Sequence, residues 1–549
     1  MKKNLIIILL LTASITQAQN WEWVKLIQPN DNKAYMGAQV GTDGKIYAAG
    51  NFNTAINFGN SQSLSGNWDG FVAQFDTAGA CQWAKKIYVV TQGCGCTVQG
   101  NTSYAAVAGT DSYGNVIVYG GYCGCSEAFG SGITSNVPGY NLFLAKYSPT
   151  GVCQWVQTKP GSWNSSTGQT DDEIYAVTID ASDNIYISMF NYATNTTFCG
   201  LNFANQGSYI FKISTNGVGI WNKQTGSLTG GYTIAQMENI NKRIYSYSGF
   251  IGTCAFGTTT LTAQGSLDVA VLKMDTAGNY LAAADIGSPG NQTGAYALAI
   301  SNNRVVLLAN NYASSVIVGT YTLNTSTSMD KTFLVAYDTT GLTVQAARNT
   351  ATDNNGAGSG LYSDNKGNMY LLAHNSATTG FGALSSVPAG RHVIRMDNTL
   401  TNYWYMESVG SCVAPDTLGN IYILDAFTTS ANYGSSLSET ATNGITLGKI
   451  HNARTTGIDE GRMAAQTNTM QIYPNPSSSL FNLKLSTNIK SNNAKITLYD
   501  ISGRLVSDNI AFTKQDENTL QINLSTFAEG NYIIKAEVDN VLYSAKLER

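Results

Sequence analysis

Apolar residues in this chain fall in short alternating runs of β-branched and aromatic side chains, and one phrase precedes run after run. It is clearest at Asp416-Thr-Leu-Gly-Asn-Ile-Tyr422 and recurs at Asp111-Ser-Tyr-Gly-Asn-Val-Ile117 and Asp364-Asn-Lys-Gly-Asn-Met-Tyr370. Asp bonds the backbone just after it and Gly or Asn accepts positive φ, so the phrase is a tight turn and the run that follows is a strand. Looser copies at residues 43–47, 182–186, 241–245 and 302–306 bring the number to seven.

The neighbours of the phrase repeat as well. Small and apolar residues precede it, as in Ala105-Ala-Val-Ala-Gly109. A long variable segment follows, then a third strand such as Leu142–Lys146, a second turn such as Asp76-Thr-Ala-Gly79, and a fourth strand marked by Trp83, Trp155, Trp221 or Trp404. Ala282 and Gln345 stand where two copies lack that aromatic. The residues after the phrase, Tyr47, Ile117, Tyr186, Tyr245, Val306, Tyr370 and Tyr422, set a period drifting between about 52 and 70 residues. Four strands per drifting unit predict an all-β chain folded as a seven-bladed β-propeller over residues 19–452, in preference to a parallel β-helix. The seventh unit lacks a fourth strand, and residues 21–26, similar to 82–86, are expected to supply it and so remove exposed edges. Strand parity puts both short turns of each blade on one face. The long segments 53–70, 88–104, 123–140 and 160–173 then make the opposite face the candidate binding surface.

Residues 453–469 read as a polar linker, and 470–549 as a small β-sandwich with strands near 480–485, 495–499, 520–524, 532–538 and 541–547. A length of 549 residues already requires more than one domain. With 12% charged, 43% hydrophobic and 55 Gly, the composition is that of a β-rich extracellular protein rather than a disordered one, and the net charge of −4 gives no footprint for nucleic acid. Met1-Lys-Lys3, the apolar run 5–11 and the small residues before Gln19 form a secretory signal peptide, residues 1–18. No later apolar run is long enough for a transmembrane anchor.

Export makes the nine cysteines candidates for oxidation. Cys94 and Cys96 enter the second unit and Cys123 and Cys125 lie in its long segment. Disulfides between the two pairs are favoured over a four-thiolate zinc site because no His is near. Cys199 and Cys254, in corresponding segments of adjacent units, are a further candidate pair, whereas Cys81, Cys153 and Cys412 are expected free. His374 and His392 bracket one long segment with Arg391, but a third ligand is missing, so no metal and no cofactor are expected. Asp171, Asp172 and Glu173 form the densest acid cluster and, with Trp68 and Trp163 outside the fourth-strand pattern, are the candidate ligand contacts. An indole face among Asn-, Thr- and Ser-rich loops suits a glycan. An extracellular glycan hydrolase or lyase using those carboxylates is the rival reading, and a structural surface-layer component is a third. No catalytic triad, phosphate loop or zincin motif is present.

The C-terminal module resembles the type A C-terminal sorting domain of the type IX secretion system of Gram-negative bacteria. Tyr473-Pro474-Asn475-Pro476, Asp500-Ile-Ser-Gly503-Arg504, Leu524–Phe527, the segment from Glu529 through Gly530 to Tyr532, and Lys546 carry the resemblance. It implies the type IX machinery as a partner, passage through the periplasm, then release or attachment at the outer-membrane surface. The repeats resemble those of secreted bacterial β-propeller proteins, which implies a fold and no activity. The whole reads as an exported binding or adhesion protein whose ligand is a glycan or a protein.

Overall fold

The computed structural model describes residues 21–549 apart from 30–34, 92–102, 162, 165–168, 171, 228–229, 241, 289–292, 312–314, 325–331, 352–355, 365–366, 408–409, 428–429, 433–437, 441–443, 451–469, 478, 486–488, 490–493, 501–504 and 539–540. The signal segment 1–18, the linker 453–469, Cys94, Cys96, Asp171, Gly503 and Arg504 therefore lie outside the described residues. The chain divides into two compact units, 1–454 and 455–549. Both are built from antiparallel β-sheet.

In the larger unit each copy of the turn phrase heads a four-stranded meander. The second is typical: Ser103–Thr110, Val116–Gly124, Gly139–Tyr147 and Cys153–Pro160 lie in sequence order across one sheet. The corresponding first strands elsewhere are Tyr35–Val40, Glu173–Ile179, Gly230–Ile240, Thr293–Ser301, Gly356–Ser363 and Gly410–Pro415. The turn chemistry is as expected from sequence. Asp111 accepts from the backbone N–H groups of Tyr113 and Asn115 and from the Asn115 amide, and Asp416 does the same with Leu418 and Asn420. The last sheet takes its fourth strand from the N-terminus: Trp21–Ile27 pairs antiparallel with Ile445–Ile450. Gln28 and Pro29 continue onto Asn57 and Ile56, which joins the last sheet to the first.

Sheets are locked to their successors by one repeated contact. Trp83 of the first sheet donates its indole N–H to the Pro149 carbonyl in the second sheet's third-to-fourth turn (2.9 Å), and Trp155 does the same to Thr215 (3.1 Å). Each indole lies on the turn glycine. A Cβ on Gly151 would sit 2.7 Å from Trp83, one on Gly217 3.2 Å from Trp155, one on Gly278 2.6 Å from Trp221 and one on Gly79 2.5 Å from Trp23. These four glycines also hold φ between 75° and 79°, so both the backbone and the neighbour require glycine. In the fourth copy Ala282 stands in place of Trp, and in the fifth the register puts Ala346, paired with Ala336, at that position rather than the expected Gln345; the next turn then places a buried leucine at positive φ, Leu342 and Leu400. Leu342 packs in the cluster that Ala282 flanks. Small strand residue with large turn residue replaces large with small, and the joint stays filled.

The long segments between second and third strands are not open loops. They fold as two-stranded ribbons, among them Thr196–Phe198 with Leu201–Phe203, Thr253–Phe256 with Thr259–Thr262 and Ser315–Val318 with Tyr321–Asn324. In the first sheet the ribbon is continuous with the meander, since Ile46–Gly59 and Gln62–Phe75 pair out to Gly59 and Gln62. Each ribbon runs back toward the start of its own fourth strand: Asn60 donates to the Cys81 carbonyl, and Gly219 to the Cys199 carbonyl. The ribbons insert apolar plugs, Phe58, Phe129, Phe203, Phe256, Val318 and Phe381, all buried. Phe58, Phe129 and Phe203 meet the third-strand rings of Phe71, Phe143 and Phe211 at centroid distances of 5.1, 5.0 and 5.3 Å. Burying each such side chain contributes about 1.5–3 kcal/mol. The expected long loops between second and third strands, 53–70 and 123–140 among them, are thus paired strands packed on their own sheets.

The smaller unit is a sandwich of two four-stranded sheets. One has Met470–Tyr473, Leu480–Leu485, Thr519–Asn523 and Phe512–Lys514; the other has Leu505–Ser507, Ala494–Asp500, Asn531–Val538 and Val541–Glu548. Alternate residues such as Phe481, Leu483 and Leu485 face Ile496, Leu498 and Ile534 across its core.

The Trp–Gly and Ala–Leu pairs yield a double-mutant test. Leu342→Gly alone should lose about 2–5 kcal/mol through the cavity it opens, and Ala282→Trp alone about 1–3 kcal/mol by overpacking. Urea denaturation of the combined variant should show clear recovery relative to their sum. Strict additivity would remove the volume exchange as the explanation.

Candidate functional site

First strands of all the four-stranded sheets in the larger unit contribute to one cavity of about 550 Å3. Its lining alternates small side chains (Gly37, Ala106, Ala108, Ala299, Ala414) with polar ones, among them Gln39, Thr110, Tyr119, Thr178, Glu238 and Tyr362. Small residues are what strands converging on an axis can accommodate. No Lys, Arg or His is in the described lining, and Glu238 is its one carboxylate.

Strand alternation extends the lining. In Ser103–Thr110 the accessible row runs through Tyr104, Ala106 and Ala108, and the last two line the cavity. In Glu173–Ile179 it runs Glu173, Tyr175, Val177 and Ile179, again ending in the cavity wall. Tyr175 occupies a bulge opposite Ser188–Met189, and Tyr296 occupies the matching bulge of Thr293–Ser301. Tyr104, Tyr175 and Tyr296 remain 44%, 37% and 39% exposed, unusual for tyrosines on the innermost strands. Burial, with the Glu173 carboxylate adding to it, pushes the Tyr104 and Tyr175 hydroxyls up to about 12. Glu173 therefore shares its surroundings with both tyrosines.

The other predicted contacts are placed differently. Asp172 is buried, pairs with equally buried Lys159 (3.2 Å) and accepts from the Tyr192 N–H (2.7 Å). It closes an ion pair inside the sheet edge. Desolvation pulls the Lys159 ammonium below its ordinary range, against the attraction of Asp172. Trp68 lies in the strand Gln62–Phe75, half-buried with φ 58°, where the ladder shifts between Phe52–Asp69 and Thr54–Gly66, and is not a loop residue. Trp163 lies in a two-residue strand paired with Gln169–Thr170. His392 is buried with Nε2 2.9 Å from the Pro388 carbonyl, and burial lowers its pKa, whereas His374 is exposed. Among the described residues no cluster of three or more potential metal ligands is present.

Cys123, in Val116–Gly124, and Cys125, just beyond it, are each engaged in a disulfide. Cys199 and Cys254 are free thiols, correcting the expected pair. Cys199 turns its own ribbon at φ 54° into a buried cluster, and the half-buried Cys254 donates to the Ile251 carbonyl (3.7 Å) within the next ribbon. Cys81 and Cys153 are free and buried, their thiols pushed up to about 12. Cys412 is free and bridges the last and first sheets, donating to the Ala38 carbonyl (3.3 Å).

Sequence reasoning missed Glu127. It is fully buried, Oε1 accepts from Ser103 (2.7 Å), and Oε2 has no hydrogen-bond partner. Burial, with Asp69 adding and Ser103 opposing, raises its pKa to about 8. At Asp111 the reverse holds: burial is outweighed by hydrogen bonds from Lys146 and Asn115, and the carboxyl sits below its usual value. The two act oppositely on stability. The Asp111 contribution is present above about pH 4 and is lost as pH falls through the lower folded value. The Glu127 contribution is complete below about pH 4 and declines as pH rises through about 8. Glu127→Gln should therefore gain in Tm relative to wild type progressively between about pH 5 and pH 8; a constant offset across that range would contradict the buried acid's titration.

In the smaller unit the Tyr473–Pro476 segment, with cis bonds before both prolines, is tied to the C-terminal strand. Asn475 donates to the Lys546 carbonyl (3.0 Å) and accepts from the Glu548 N–H (2.8 Å). Gly530 exchanges two backbone hydrogen bonds with Arg549, Tyr532 donates to the Ala528 carbonyl (2.7 Å), and Asp500 pairs with Tyr532 across the sheet. The motif residues described here thus converge on the last strand.

Comparison with known proteins adds the following. No curated protein matches the sequence. Among solved structures, the full extracellular region of plexin A4 aligns at 8% identity over 95% of this chain and 52% of its own, with a TM-score of 0.41. Prolyl oligopeptidase B from Galerina marginata aligns at 7% over 92% and 55% (TM-score 0.38), and a protein of unknown function from Bacteroides caccae at 9% over 62% and 90% (TM-score 0.29). The chain spans about half the length of that plexin region. Scores at this level carry no argument about this chain. No helix among the described residues is long and apolar enough to cross a membrane. Residues 471–547 match the family model of the secretion system C-terminal sorting domain, so the chain ends in a type IX sorting domain, which implies engagement of the type IX machinery and export to the cell surface or beyond.

Proposed function

We propose that residues 19–452 form a closed seven-bladed β-propeller that, exported by way of the periplasm and matured at Gln19, binds a surface glycan in its central cavity. The observation that carries this reading is the cavity wall, which draws residues from the first strand of each meander of the larger unit. Closure is supported by the N-terminal strand paired to Ile445–Ile450, by Trp23 resting on Gly79 and by the Cys412–Ala38 hydrogen bonds. Hydroxyls and amides beside tyrosine rings are the usual means of gripping a sugar, by directed hydrogen bonds and by a stacking plane. Trp163 is a further contact of the same ligand. We further assign Cys94 and Cys96 as the partners of Cys123 and Cys125, a link between segments about 27 residues apart that contributes roughly 2–4 kcal/mol.

Titration of the mature chain with a panel of neutral surface oligosaccharides tests the site. Tyr104→Ala and Tyr175→Ala should each weaken binding by about 1–3 kcal/mol, and Thr77→Ala, on a short turn, should not. Uniform affinities across the three variants would sink the assignment. For export, deletion of residues 470–549 should leave the protein in the cell envelope; its normal appearance outside the cell would refute the sorting role.

A further inference from the structure

We infer that the tyrosine row ending in the cavity selects a ligand bearing a primary ammonium group, an inference that rests on the binding reading above. Tyr104 and Tyr175 are the exposed aromatics on the adjacent first strands Ser103–Thr110 and Glu173–Ile179, and Glu173 heads the second strand in the same accessible row. The aromatic faces attract cations through their quadrupole, and the carboxylate offers a charge-assisted hydrogen bond. An ammonium group placed between them satisfies both.

Nothing in the described lining competes for that role. The wall holds Glu238 further in and no Lys, Arg or His. The nearest basic side chain in sequence space, Lys159, is fully buried and committed to Asp172, so its charge is closed off from the cavity. A phosphorylated or carboxylated ligand would bring like charge against Glu173 with no cation to meet it, which discriminates against anions as strongly as the site favours cations. A neutral sugar keeps the stacking and hydroxyl contacts but gains nothing from the carboxylate.

The ammonium group has two sources, an amino sugar or a lysine side chain, and calorimetric titration of the mature full chain distinguishes them. The probes are a tetramer of glucosamine, the matching tetramer of N-acetylglucosamine, and a blocked lysine peptide. The glucosamine tetramer should bind about tenfold more tightly than its acetylated twin, the scale of one partly solvated charge pair. Glu173→Gln should bring the two within about twofold, and a Tm equal to that of the wild type shows that the variant is folded. A lysine peptide equal to the amino sugar identifies the ammonium alone as the determinant; a weaker one identifies the sugar ring as a second. Equal affinity of the two tetramers in the wild type, or a preference that survives Glu173→Gln, overturns the inference and leaves the cavity reading standing. Binding of none of the probes, nor of the neutral oligosaccharides, removes the cavity reading itself.

Discussion

An indole lying on a glycine of the neighbouring sheet is the contact on which the larger unit depends. Trp83 on Gly151, Trp155 on Gly217, Trp221 on Gly278 and Trp23 on Gly79 set the approach of one sheet to the next through a rigid ring and a backbone. A flexible side chain would not fix that spacing as well. The same joints are reinforced from the third strands: Lys146 reaches Asp111 (2.7 Å) within its own sheet and Thr215 in the next, and Lys273 reaches the Thr340 carbonyl (2.8 Å). A lysine so enclosed is worth its desolvation only because carboxylate and carbonyl acceptors are both in place. Because the joint uses the turns and the strand ends, the ribbons between second and third strands are free to vary in length without disturbing it.

That division explains what the sequence disclosed and what it hid. The Asp-to-Asn turns were legible because their chemistry is local: the Asp416 carboxylate closes on Leu418 and Asn420 within five residues. The missing fourth strand was legible from the similarity of residues 21–26 to 82–86. The ribbons were not, since their Thr-, Ser- and Asn-rich strands are short and gain stability from packing on their own sheet rather than from propensity. A signal was nonetheless present. An apolar residue followed by glycine at positive φ recurs at Phe58-Gly59, Phe129-Gly130, Phe256-Gly257, Val318-Gly319 and Phe381-Gly382, the plug and the turn of each ribbon.

Moving the long segments onto the sheets moves the candidate recognition surface as well. Loops that cover their own scaffold, with plugs buried among Phe71, Phe143 and Phe211, offer few free side chains for recognition. The accessible aromatic and acidic side chains are instead on the first strands. Of the acid cluster, only Glu173 keeps an exposed carboxylate among the described residues, because strand parity turns its neighbour Asp172 inward onto Lys159. The tyrosines beside it escaped notice as ordinary strand residues. Their mark in the sequence is the pair Tyr-Ala, at Tyr104-Ala105, Tyr175-Ala176 and Tyr296-Ala297, where the alanine turns inward and the tyrosine outward.

The small-residue rule and the tyrosine row belong to one geometric constraint. Strands that converge favour Gly, Ala, Ser and Thr where they are closest, and larger side chains are carried near a strand end, at a bulge or, as with Tyr362, at a regular ladder position on the cavity wall. Tyr175 and Tyr296 sit at bulges and Tyr104 at the second residue of its strand, the places where a ring can be carried without collapsing the wall. A bulge interrupts the ladder and leaves backbone groups less completely paired, so an innermost strand carrying one gives up part of its pairing. The bulge itself recurs without a ring, at Ala108, Ala235, Ser359 and Ser411, so it belongs to the strand repeat rather than to the tyrosines. What differs from strand to strand is the residue the bulge carries: a small one at Ala108 and Ser359, an exposed ring at Tyr175 and Tyr296.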